Sequence, residues 1–150
     1  MIRPGITGLY SLYSEDLTEL ITVYGFKAAC YHVARSHNMQ VKNIEPPSAT
    51  PNFYRAYFTG QDLEVWVVCN DNFLIVAFSK SLENQSQHGF IDLPEIGLTF
   101  ATLGYRVATA KELEQDFLRE DWALLNDAEI IAIEYWRPQT VGQVIFNWFD

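Results

Sequence analysis

Apolar and polar positions divide the chain into helical and strand-like stretches. Ser14-Glu15-Asp16-Leu17 reads as a helix start, with Ser14 as cap and two acids at the positive end of the helix dipole. Leu17, Leu20, Ile21, Tyr24, Ala28 and Tyr31 then recur at helical spacing, and Val23, Phe26, Cys30 and Val33 widen that face. The pattern predicts a helix over residues 15–37, nearly surrounded by protein and stopped at Asn38. Gly25 inside it is expected to permit close packing against a neighbour. Residues 41–52 read as a connector, because Pro46, Pro47 and Pro51 exclude helix and paired strand.

Three strand-like runs follow, Phe53–Thr59, Leu63–Cys69 and Phe73–Ser79. Gly60-Gln61-Asp62 and Asn70-Asp71-Asn72 separate them at hairpin length, which predicts an antiparallel meander. Val65, Val67 and Cys69 alternate with Trp66 and Val68, and Ile75 and Ala77 with Leu74, Val76 and Phe78. Both faces are apolar, so the sheet is expected to be covered twice, by helices on both sides or by a second copy on one. Ser81–Gln87 is loop-like; residues 89–94 suggest a short edge strand ended by Pro94. Leu98–Leu103 fits helix and strand equally, and residues 104–107 read as a turn with a brief extended segment.

Helix starts punctuate the last third. Thr109 with Glu112 matches a capping box, opening a helix expected to reach about Arg119. Asn126 with Glu129 opens a second element, Asp127 to Tyr135, where Ile130, Ile131 and Ile133 leave strand as the alternative. Thr140 with Gln143 opens a third, which places Val141, Val144, Ile145 and Trp148 on one face. Chain ends are usually polar and frayed. Here Val144, Ile145, Phe146, Trp148 and Phe149 crowd the end, so it is expected to be docked, each large side chain contributing roughly 1.5–3 kcal/mol. The fold class is therefore α+β: one domain over residues 1–150, with a mainly antiparallel sheet of three to five strands packed against an N-terminal helix and C-terminal helices.

Composition supports a packed interior, at 49% hydrophobic and 15% aromatic. No run approaches the roughly 20 apolar residues that cross a bilayer, and no signal-like stretch follows Met1, so the expectation is a cytoplasmic protein without a membrane partner. A net charge of −9 argues against nucleic acid as partner. Eight acids against Lys111 and Arg119 place −6 of that charge between residues 111 and 134. That stretch is either a solvated helix surface or a patch that steers a basic protein into contact.

Candidate chemistry adds little. Cys30 and Cys69 sit among apolar neighbours and read as reduced, buried side chains. His32 and His37, five apart, miss the spacing that puts two ligands on one helix face, so no metal and no cofactor is expected. No serine stands in a nucleophile motif and no glycine cluster cradles a phosphate. The four tryptophans and eight tyrosines are core, interface anchors or pocket walls. Trp122, with charged neighbours Arg119, Glu120 and Asp121, is the interface candidate.

The segment Tyr135-Trp136-Arg137-Pro138-Gln139-Thr140-Val141-Gly142, with Phe146-Asn147 and Asp150, resembles the ending of small bacterial α+β proteins, some of the toxin-immunity type. The resemblance implies a one-domain, cytoplasmic, acidic protein that acts by binding, and it supplies no catalytic residue. Charge and resemblance together lead to a non-enzymatic protein-binding module with Glu112, Asp116, Glu120, Asp121 and Trp122 as partner-binding residues. The expected partner is a basic protein; in the form the resemblance implies, it is a toxin neutralised by occlusion. The alternatives are a self-associating structural protein, for instance a homodimer, and a small-ligand binder.

Overall fold

The computed structural model describes residues 1–9, 23–48, 51–60, 62–82 and 89–149. Helix α1 (Val23–Ser36) leads into β1 (Gln40–Glu45), β2 (Phe53–Gly60), β3 (Leu63–Asn70), β4 (Ile75–Ser79) and β5 (Phe90–Ile91). There follow α2 (Pro94–Thr102), β6 (Arg106–Val107), α3 (Ala110–Leu113), a 3-10 helix (Arg119–Leu124), α4 (Asp127–Trp136) and α5 (Val141–Ile145). The strands form one sheet in the order β1-β2-β3-β4-β5, antiparallel throughout, with the short β6 parallel to β4. This is a single α+β domain with the expected antiparallel sheet, N-terminal helix and C-terminal helices.

The alternation in β3 and β4 divides the interior into two layers. Val65, Val67, Cys69, Val76 and Phe78 face α1 and α2, meeting Phe26, Cys30, Val33, Ile96 and Phe100. Val68, Ile75 and Ala77 face the other way, onto Leu113, Ile133, Val141, Val144, Ile145 and Phe146. The chain thus covers both faces of these strands itself, and the argument for a second copy lying on a bare sheet face lapses. The C-terminal residues are docked as expected: Phe146 and Trp148 both meet Phe53 edge-on, at 5.8 and 5.4 Å between ring centroids.

Several local expectations change. Strand β1 runs through what reads as a connector. The prolines exclude pairing only from Pro46 onward, and a register shift between Val41 and Asn43 hides the two-residue period in the sequence. Helix α1 buries Phe26, Ala29, Cys30 and Val33, whereas Ala28, Tyr31 and Gly25 are exposed. Among the described side chains, those on the Phe26–Val33 side of α1 face the sheet, and Gly25 is exposed. The proposed helix start at Ser14, with Leu17, Leu20 and Ile21, lies outside the described residues, as do most of the 81–87 loop, His88 and Asp150. Asn38 ends the helix in the left-handed conformation, φ 53°. Pro94 opens α2 where it was expected to end a strand, occupying the first turn, in which its missing N–H costs nothing.

In the last third, α3 ends at Leu113, six residues short of Arg119. Its chain leaves the helix to pair with the segment before α5: Phe117 N–H donates to Gln139 O, and Val141 N–H to Gln115 O. The Thr109 cap forms, but Glu112 turns to Arg106 and does not close the box. The boxes Asn126/Glu129 and Thr140/Gln143 are both complete, and residues 127–136 are helix.

A buried polar network ties the first residues to the last. Asn70 donates to Ile6 O at 2.9 Å and Ile145 O at 2.7 Å; Asn147 donates to Thr7 O at 3.1 Å and Val144 O at 2.9 Å. Asn72 donates to Gly5 O at 2.7 Å. Glu129, 0% exposed, accepts from Gly5 N, Thr7 N, Thr7 Oγ1 and Asn126 N at 2.7–3.1 Å. Such a group is tolerated in a core only because its acceptor sites are filled.

Both cysteines are free and 0% exposed, and burial pushes the Cys30 thiol well above its ordinary range. A thiolate-selective reagent is therefore expected to label neither in the native protein, and both once denaturant unfolds it. Rapid native labelling of either one would contradict this packing.

Candidate interaction surface

The five partner-binding candidates lie along the outside of the second core layer and divide into two groups. Glu112, on α3, is half-buried and stands 3.8 Å from the Arg106 guanidinium. Asp121, half-buried in the 3-10 helix, accepts from Leu118 N–H at 2.9 Å, so its carboxylate caps its own element. Both also act on the amino group of Met1, whose pKa they raise against a larger lowering by burial, Arg106 and Arg3. Asp116 and Glu120 are exposed, Asp116 beside Thr140 through an isolated backbone bridge. The acidity of 111–134 is thus partly internal: Glu129 is in the core, and Glu112 and Asp121 face local cations and donors.

Trp122 is half-buried against the second core, not freely exposed, and the Arg119 guanidinium lies over its ring, 4.1 Å from the centroid. It forms part of the wall of an open groove of about 630 Å³ with Phe117, Arg119, Glu134, Arg137 and Pro138. Part of its apolar area is committed to the fold, packed against the second core.

The exposed apolar side chains lie close by, on residues that sequence reasoning missed. Eight large hydrophobics are exposed among the described residues, and five of them (Leu118, Leu124, Ile131, Tyr135, Trp136) fall between positions 118 and 136. Helix α4 buries Glu129 and Ile133 and turns Asp127, Ile131, Glu134 and Tyr135 to solvent. Ile131 and Tyr135, 68% and 78% exposed, stand one turn apart on one face. Tyr135 meets Trp136 edge-on at 5.2 Å, and Trp136 stacks on Phe149 at 5.9 Å, which props the end of the stripe. Exposed acids surround these groups in sequence: Glu114, Asp116, Glu120, Asp127 and Glu134. The signal was present: a helix with apolar residues at 130, 131, 133, 135 and 136 has more apolar positions than one buried face accommodates.

Other chemistry-bearing residues stand apart. His37 Nε2 lies 2.8 Å from Thr99 Oγ1, and His32 is exposed on α1. Among the described residues no three His, Cys, Asp or Glu side chains are grouped to hold a metal ion, and no helix is long and apolar enough to cross a membrane. No protein-family model, curated protein or solved structure matches this chain.

Proposed function

We propose that this chain is a non-enzymatic binding module whose contact surface is the exposed face of α4 with the neighbouring 3-10 helix, and whose partner is a basic protein. The observation that carries the reading is the crowding of exposed Leu118, Leu124, Ile131, Tyr135 and Trp136 into one segment with five exposed acids. Solvent-facing apolar groups within a polar rim match the anatomy of protein interfaces, where large aromatics supply most of the binding energy. Asp116 and Glu120 remain in this surface as steering charge; Ile131 and Tyr135 replace Trp122 as its anchors. Occlusion of a basic toxin is the specific form that the C-terminal resemblance and the charge together favour.

The test uses a partner retained from lysate at low salt, identified and then purified. Ile131→Ser with Tyr135→Ser is expected to weaken its binding roughly 10- to 100-fold, while melting stays near wild type because both side chains are exposed. Raising salt is expected to slow association. If no basic protein is retained at low salt, or the double variant binds it as wild type does, the reading fails. For the toxin form, co-expression must protect cells from the partner, and the double variant must lose that protection.

A further inference from the structure

A separate feature lies at the end of the sheet where β6 meets β4. Here Met1, Arg3, Phe73, Leu74, Ile75, Gly104 and Arg106 enclose a pocket of about 160 Å³. In a chain with ten Lys and Arg against nineteen Asp and Glu, two arginines share this small cavity. Each is positioned by something other than a ligand. The Arg3 guanidinium lies over the Phe73 ring, 3.6 Å from its centroid. Its backbone is fastened two residues on, where Gly5 N–H donates to Glu129. Arg106 is held by strand pairing, its N–H donating to Leu74 O at 2.7 Å.

The guanidinium of Arg106 is available. Its one ionic neighbour among the described residues, Glu112, stands at 3.8 Å, beyond hydrogen-bond reach, and the side chain is 57% exposed. The Met1 amino group reports the local field: after burial, the largest influences lowering its pKa are Arg106 and Arg3. Two guanidinium groups held beside one cavity form the arrangement that oxyanions occupy, because their planar donors match carboxylate and phosphate geometry. A pocket of about 160 Å³ has room for a small anion. Glu112 and Asp121 oppose the positive field and limit affinity.

We propose that the pocket between Arg3 and Arg106 binds a small oxyanion of phosphate or carboxylate type. The assignment does not rest on the proposed contact surface, although Asp121 of the 3-10 helix also acts on the Met1 amino group at this pocket.

The experiment titrates inorganic phosphate, and in a parallel arm acetate, into the protein at low ionic strength. Arginine side-chain N–H resonances are followed by NMR, with chloride at matched ionic strength as reference. Saturable shifts at Arg3 and Arg106 are expected. Arg106→Gln is expected to weaken binding on the order of tenfold; its exposure leaves the fold intact. Glu112→Gln, which removes the competing carboxylate, is expected to tighten it. Stronger binding in the phosphate arm identifies a phosphate-type ligand, and stronger binding in the acetate arm a carboxylate. Shifts that only follow chloride, or wild-type affinity in either variant, overturn the assignment.

Discussion

Glu129→Ala is expected to lower unfolding free energy by about 3–5 kcal/mol, seen as a melting temperature lower by roughly 10 °C or more. The carboxylate is 0% exposed and accepts four hydrogen bonds, two on each oxygen: Gly5 N and Asn126 N on Oε1, Thr7 N and Thr7 Oγ1 on Oε2. Alanine leaves three backbone donors and a hydroxyl without a partner in a site that water does not reach. It also removes half of the capping box that starts α4. Glu129→Gln is expected to fall between, since an amide keeps one accepting oxygen and turns a donor toward the other pair. Denaturant titration of the three proteins checks the order. A Glu129→Ala midpoint within about 1 kcal/mol of wild type would mean that the N-terminal segment contributes little to the fold.

Gly142→Val is expected to cost about 3 kcal/mol. A Cβ at this position would stand 2.7 Å from Phe90 Cε2, 3.0 Å from Leu113 O and 3.2 Å from Leu113 Cβ. The Phe90 ring is held against Phe146, at 5.8 Å between centroids, and the Leu113 carbonyl belongs to α3, so neither yields readily. A larger side chain must therefore push α5 away from α3. Gly142→Ala should cost less than valine, and a scanning calorimetry series over the three residues measures the gradient. Equal stability for all three would show that α3 and α5 separate freely.

Much of this architecture was legible because two signals are local. Alternation in β3 and β4 separates Val65, Val67, Cys69, Val76 and Phe78 in one core from Val68, Ile75 and Ala77 in the other, while Trp66 joins neither and meets Tyr57. The side chains of Asn126 and Thr140 mark helix starts that form as read. What was not legible depends on contacts distant in sequence. Strand β1 exists because β2 offers it an edge, and its irregular register removes the pattern that would announce it. Helix α3 stops where residues 115–117 find backbone partners at 139–141. Glu129 looks like one more surface acid in a run of acids; only the fold brings Gly5 and Thr7 to it, more than 120 positions away in the chain. The candidate surface was legible as a region but not as a face. The acidic segment holds most of the exposed large apolar groups among the described residues, yet Trp122 is turned inward under Arg119 while Ile131 and Tyr135, on a helix with an overfull apolar set, are turned outward.

The asparagine network between residues 5–7 and 144–147 also bears on synthesis at the ribosome. Gly5 and Thr7 are synthesised more than 120 residues before Glu129 and Asn147, which bind them, and the Ile6 and Ile145 carbonyls meet only through Asn70. The nascent chain therefore carries residues 5–7 unsatisfied until Glu129 and Asn147 have followed them. A polypeptide halted before position 129 lacks the acceptor for Gly5 and Thr7 and is expected to stay open to chaperones and proteases.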